Sequence, residues 1–161
     1  MLDPTARKQL LRSFTYGLFW VTTEHDGERG IFTANWVSQA SFDPPLLMLS
    51  VEKGSSTLPL IRESGRFVIG PFRSDQRELA GDLGRPKSRA GDKFAAYELS
   101  VFELESGGVA LADSLGALAC TVQSESDAGD SVVFIAEVVE ARAVGEGEPL
   151  TMNAAGFRHF G

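Results

Sequence analysis

Residues 33–36, Thr-Ala-Asn-Trp, open a stretch that runs to Pro45 and holds more hydrogen-bonding side chains than a packing strand needs. Thr33 and Trp36 suit a strand, but Asn35, Ser38, Gln39 and Ser41 are polar. Along 31–42 the even positions are Phe32, Ala34, Trp36, Ser38, Ala40 and Phe42. The odd positions are Ile31, Thr33, Asn35, Val37, Gln39 and Ser41. Alternate residues of a strand face opposite sides. One face is therefore apolar or small, and the other is rich in hydrogen-bonding groups. Such a strand suits the wall of a polar ligand's pocket; a half-exposed strand with one wet face is the plainer reading.

Two further groups carry chemistry. Residues 52–57 place Lys53 and Gly54 before three hydroxyls, Ser55, Ser56 and Thr57, at a predicted helix start. Free N–H groups and the helix dipole favour an anion there, hydroxyls donate to phosphate oxygens, and Lys53 adds positive charge. A capped surface helix is the plainer reading. One apolar strand, 45–52, joins this group to the first, so one ligand can touch both. Residues 85–93 hold Arg85, Lys87, Arg89 and Lys93 against a single acid, Asp92. This local basic patch suits a phosphate-bearing ligand, or is simply a solvated loop.

Elements must hold these groups in place. Asp3-Pro4 starts a helix to about Phe14, with Leu10, Leu11 and Phe14 on its buried stripe. Apolar runs predict strands at 17–23, 31–42, 45–52, 66–72, 97–104, 117–125 and 132–144. Asp26-Gly27 marks a hairpin. A helix over 55–65 takes Ser56 as cap and Gly65 as stop; another over 75–84 has Asp75 and Glu78 at capping-box spacing. Trp20 belongs to the core. Six of these taken as main strands, with short helices between some of them, predict a mainly-β single domain over 1–161, an antiparallel sheet closed into a barrel.

Composition excludes several classes. The chain has 161 residues and a net charge of −7, which disfavours nonspecific binding to nucleic acid or to an anionic membrane. Cys120 is the one cysteine, so no internal disulfide forms, and its apolar setting predicts a buried thiol. Two histidines and one cysteine leave axial haem ligands scarce. His25, beside the hairpin, is expected to face water. No nucleophile elbow or H-E-x-x-H spacing points to a hydrolase. The N-terminus lacks an apolar signal core and no apolar run reaches membrane-spanning length, so a cytoplasmic protein is expected.

The motifs also have an order. A strand ending Val21-Thr22-Thr23 precedes a hairpin glycine, then T-x-N at 33–35, S-x-x-S at 38–41 and Pro44-Pro45. S-x-T at 55–57, Gly65-Arg66-Phe67 and Asp92-Lys93-Phe94 follow. This ordered set, from 14 to 161, resembles the flavin reductase-like family of FMN-binding split barrels. The resemblance implies a six-stranded antiparallel Greek-key split barrel with short flanking helices, forming a homodimer with flavin sites at its interface. It implies FMN, with FAD as the alternative, and NAD(P)H as electron donor. Thr33, Ala34, Asn35 and Trp36 would border the isoalloxazine. Ser50 to Thr57, including Lys53, would hold the ribityl chain and phosphate, with Ser55, Ser56 and Thr57 closest to the phosphate. Lys93, Phe94 and Arg89 would close the site.

One departure stands out. Many NAD(P)H-using members carry Gly-Asp-His before the last long strand, where this chain has Gly129-Asp130-Ser131. Serine has no imidazole to lie against a nicotinamide; His159 in the tail is the other histidine. The implied activity is a flavin-dependent oxidoreductase that passes electrons from NAD(P)H or a protein donor to free flavin or another acceptor. The alternative is a flavoredoxin-like FMN electron carrier without direct NAD(P)H turnover. No residue stands out as a general acid or base.

Overall fold

A computed structural model of the chain describes residues 1–158. Its elements in chain order are α1 (Pro4–Arg12), β1 (Phe19–His25), β2 (Glu28–Ala34), β3 (Val37–Ser41), β4 (Leu46–Glu52), α2 (Leu58–Ser64) and β5 (Arg66–Pro71). Then come α3 (Arg77–Leu83), α4 (Lys87–Ala90), α5 (Lys93–Ala96), β6 (Val101–Glu103), β7 (Val109–Leu111), β8 (Gly116–Ala128), β9 (Ser131–Ala143) and α6 (Met152–Ala155). Seven strands form one sheet in the order β2-β1-β5-β8-β9-β4-β3; β6 and β7 pair separately. Every pairing is antiparallel.

The sheet's two edge strands, β2 and β3, are consecutive in the chain. Asn35 and Trp36 form the joint between them. They break the continuous strand expected over 31–42, because the chain must leave one edge of the sheet and re-enter at the other. The Ser50 N–H donates to the Trp36 carbonyl at 3.0 Å, tying the joint to β4.

Strand alternation splits the core in two. Trp20 and Val21 are neighbours in β1 and both fully buried, yet they enter different clusters. Trp20 packs with Phe72, Leu83 and Met152; Val21 packs with Leu49, Ile61, Phe67 and Phe134. Gly70 must be glycine: a Cβ there would stand 2.1 Å from the Gly116 carbonyl oxygen and 2.4 Å from the Trp20 ring. Cys120 is buried, as expected, and burial pushes its thiol up to about 12.

Several expectations are corrected. The main sheet has seven strands, not six. The strand expected over 97–104 shrinks to β6, which pairs with β7 in a short hairpin. Residues 85–94, read as loop, contain α4 and begin α5. Helix α1 is capped by Asp3 as expected, but it buries no residue, and Leu10 and Phe14 are exposed. Phe42, assigned to the apolar face, is 90% exposed, because β3 is a sheet edge beyond the joint. Thr57 rather than Ser56 occupies the α2 cap, and Gly65 ends that helix in the left-handed region at φ 65°. Asp75 does not cap α3: Arg73 takes its carboxylate at 2.7 and 3.1 Å. Among the described residues no helix is long and apolar enough to cross a membrane.

Trp20 also sets a test. Its indole N–H is buried without a partner, so packing alone holds the ring. Trp20→Ala is expected to lower stability by about 3–5 kcal/mol. Trp20→Phe keeps an aromatic ring and removes an unpaired donor worth about 1–3 kcal/mol, so it should cost much less. Urea unfolding of both variants measures the difference.

Candidate functional site

A cavity of about 1190 Å³ runs along the open edge of β2. One wall is the 33–36 joint; another is the 54–57 loop that leads from β4 into α2. The third is formed by α3 and the 84–94 segment, with Met152 and Phe157 near one end. The loop comes this close because residue 30 is glycine. A Cβ on Gly30 would lie 2.5 Å from the Thr57 methyl.

An edge strand leaves half of its main-chain groups unpaired. The Ile31 carbonyl is on the open side, since it accepts from the Lys93 ammonium at 3.2 Å. By antiparallel alternation, the main-chain groups of Arg29 and Thr33 face the same edge. The cavity thus offers backbone donors and acceptors along one side and hydroxyls at the other. Ser55 and Thr57 hydroxyls lie 2.6 Å apart, and the Thr57 N–H donates to the Ser55 hydroxyl at 3.3 Å.

The structure brings most of the expected site residues together. Thr33, Ala34, Asn35 and Trp36 line this cavity, as do Ser50, Ser55, Ser56 and Thr57 and, opposite, Lys93 and Phe94. Some are already engaged. The Thr33 hydroxyl donates to the Ala80 carbonyl at 2.6 Å, fastening β2 to α3. The Asn35 amide donates to the Met152 sulfur at 3.0 Å. Lys93 donates to Leu83 O at 2.5 Å as well as to Ile31 O, so its charge clamps α3 and α5 onto β2. Burial lowers its pKa from 10.5.

Two expected residues stand apart. Lys53 forms an ion pair with Asp127 of the β8–β9 hairpin and does not line the cavity. Arg89 is exposed on α4 and does not line it either. Both cations sit on short, solvated segments whose side chains turn outward. Ser131 is buried, pairs across from Glu52 and donates to Asp130 at 3.0 Å; it too is absent from the wall. His159 lies outside the described residues. Among the described residues no group of three or more His, Cys, Asp or Glu could hold a metal.

Sequence reading missed Glu28, Arg29 and Met152 in the wall. Arg29 was hidden inside a hairpin signal, although period-two alternation with Ile31 and Thr33 would have placed it on the same side. Its guanidinium lies 4.2 Å from the centre of the Phe94 ring. Lys87 pairs with Glu28 at 2.6 Å, bridging α4 to β2 across the cavity.

Fold and cavity define a mainly-β protein with a large, hydroxyl-lined cleft at a sheet edge. Residues 11–161 match the flavin reductase like domain, and the chain belongs to that family. The reductase component of 4-nitrophenol 4-monooxygenase/4-nitrocatechol 2-monooxygenase from Rhodococcus opacus is 32% identical over 159 residues, covering 99% of this chain and 82% of that protein. An FMN reductase (NADH), SmoA, from Agrobacterium fabrum is 32% identical over 155 residues, covering 95% and 84%. The structure of the NADH:FAD oxidoreductase SgcE6 from Streptomyces globisporus superposes with a TM-score of 0.82 at 25% identity, covering 100% of this chain and 97% of that one.

Lys93 yields a pH-dependent expectation. Below 10.5 its lowered pKa makes the unfolded chain bind more protons than the native one. Its contribution is therefore full above 10.5 and is lost as pH falls through the lowered value. The wild type should gain stability relative to Lys93→Met as pH rises toward 10.5, measured by urea midpoints across the alkaline range.

Proposed function

We propose that the protein is a flavin reductase that binds FMN in the cavity along β2 and draws electrons from NADH. The observation that carries this reading is the convergence of the 33–36 joint and the 55–57 hydroxyls on one cavity. Its donor set fits the group. Trp36, Ala34 and Phe94 supply apolar wall, the open edge of β2 supplies hydrogen-bonding groups for a heteroaromatic rim, and Ser55, Ser56 and Thr57 supply hydroxyls for a phosphate. The volume of about 1190 Å³ exceeds the usual range of roughly 300–1,000 Å³ for one small ligand, so a nicotinamide can enter beside the flavin.

Redox chemistry is supplied by the isoalloxazine when bound; the chain positions it, shields one side from water and sets its surroundings. No acid or base of this chain needs to move a proton for a hydride to pass. We infer further that the curved sheet is a Greek-key split barrel and that the whole chain is one domain, acting as a cytoplasmic homodimer. The exposed Leu10 of α1, Phe14 just beyond its end and Phe42 beside β3 support an apolar contact with a second copy. The name of the Rhodococcus relative supports delivery of reduced flavin to a separate monooxygenase component. Size-exclusion chromatography with light scattering tests the dimer, which a monomer mass at micromolar concentration would exclude.

The central test is spectroscopic. FMN titration should perturb the visible flavin spectrum and saturate, and NADH should then be oxidised in the presence of FMN. A protein that takes up no flavin overturns the assignment. One that holds FMN without oxidising NADH is instead the flavoredoxin-like carrier. Ser55→Ala with Ser56→Ala removes two hydroxyls at positions that are not buried. Hydrogen bonds to a charged group are worth about 1.5–3 kcal/mol each, so FMN affinity should fall tenfold or more without loss of fold.

A further inference from the structure

Among the described residues Arg29 forms no ion pair, although Glu24 stands opposite it in the β1–β2 register. The other basic residues of the 84–94 wall are neutralised: Lys87 by Glu28 at 2.6 Å, Arg85 by Asp82 at 3.2 Å. Lys93 is buried against two carbonyls. Among the described residues Arg29 makes no hydrogen bond or ion pair; it only lies over the Phe94 ring. A guanidinium fixed against an aromatic face keeps its edge free for bidentate contact with phosphate.

Arg29 and Gly27 also line a second cavity, of about 530 Å³, at the β1–β2 hairpin. Its walls come from β1, β5 and β8 and from Gly107 and Gly108. Thr23, His25, Ser64 and Arg66 give it hydrogen-bonding groups, and Phe67 and Cys120 give it apolar surface. Glu24 and Asp26 stand at the same cavity and balance Arg29 and Arg66, so a phosphate there is held by guanidinium geometry rather than by net charge. A purine nucleoside presents that combination of flat apolar faces and polar rim.

The two cavities follow one another along a single strand. Thr57, the last of the hydroxyls, abuts Gly30. Arg29 is the next residue back along β2, and Gly27 stands two further back in the hairpin turn. At about 3.3 Å per residue, Gly30 to Gly27 spans on the order of 10 Å. Arg29 and Thr57 lie toward opposite faces of β2, but both cavities reach Gly27 and Arg29 at the open edge of the strand, so a ligand with a phosphate at 55–57 can turn that edge into the second cavity. We propose that Arg29 and this second cavity receive the adenylate half of a dinucleotide flavin, so that FAD is gripped at both cavities and FMN at one. This rests on the flavin reading above and deepens it: it assigns Arg29 as the residue that separates dinucleotide from mononucleotide flavin.

The test compares FMN and FAD titrations of the wild type and of Arg29→Met, which keeps an apolar stem on Phe94. Thermal unfolding checks that the variant folds. Arg29→Met should weaken FAD tenfold or more, about 1.4 kcal/mol or above, and leave FMN within about threefold. Adenosine monophosphate should compete with FAD and not with FMN. Equal weakening of both flavins overturns the proposal, since Arg29 would then hold the phosphate they share. Unchanged FAD affinity also overturns it, as does a loss confined to the KM for NADH, which would assign the adenylate to the nicotinamide. If the wild type binds FMN while these results appear, the flavin reading survives; if it binds neither flavin, both fall.

Discussion

The site depends on a chain crossing. β2 closes one edge of the seven-stranded sheet and β3 closes the other, and only Asn35 and Trp36 separate them in sequence. The crossing brings the start of β3, and with it β4, back beside β2. The Ser50 N–H bond to the Trp36 carbonyl at 3.0 Å fixes that return. Because β4 runs on into the 53–57 loop, the same crossing delivers the hydroxyls to the cavity. Gly30 completes the approach, since any side chain there would meet Thr57. Polar residues on this stretch are therefore there for position: they occupy the point where two sheet edges and a loop converge.

An exposed edge strand invites pairing with another chain. Here β2 is covered by helices instead. Thr33 reaches α3, Lys93 reaches the Ile31 carbonyl from α5, and Arg29 lies over Phe94. These attachments spend some of the strand's groups on the fold and leave others to the cavity. Lys93, expected to close the site, lines the cavity and also holds this cover. A buried ammonium held by two carbonyls is a poor anion anchor, because desolvation already disfavours its charge.

Local chemistry was legible in the sequence wherever one residue decides the outcome. The Asp3 cap, the Asp26-Gly27 hairpin, the left-handed Gly65 stop and the buried Cys120 all stand in the structure. The grouping of the 33–36 and 55–57 segments was legible too, because a single strand links them. What failed depended on distant partners. Asp75 had a capping-box pattern, but Arg73 offered two charge-assisted hydrogen bonds and took its carboxylate. Lys53 sat beside the hydroxyls in sequence, but the tip of the β8–β9 hairpin brought Asp127 to it. The apolar stripe expected on α1 stays exposed at Leu10 and Phe14 among the described residues.

That pattern explains how a chain with net charge −7 can serve an anionic ligand. A basic patch is only an attraction if its charges stay unpaired. Lys53, Arg85 and Lys87 each have a carboxylate within salt-bridge reach, and such exposed pairs add little field beyond their own neighbourhood. At 55–57 the capacity to bind a phosphate therefore rests on neutral donors, the serine and threonine hydroxyls and the open amides of β2, with Arg29 the cation left further along the strand. Neutral donors recognise geometry more than charge, and they release a ligand more readily than a cluster of free cations would. A protein that must take up a flavin, reduce it and let it go has use for that balance.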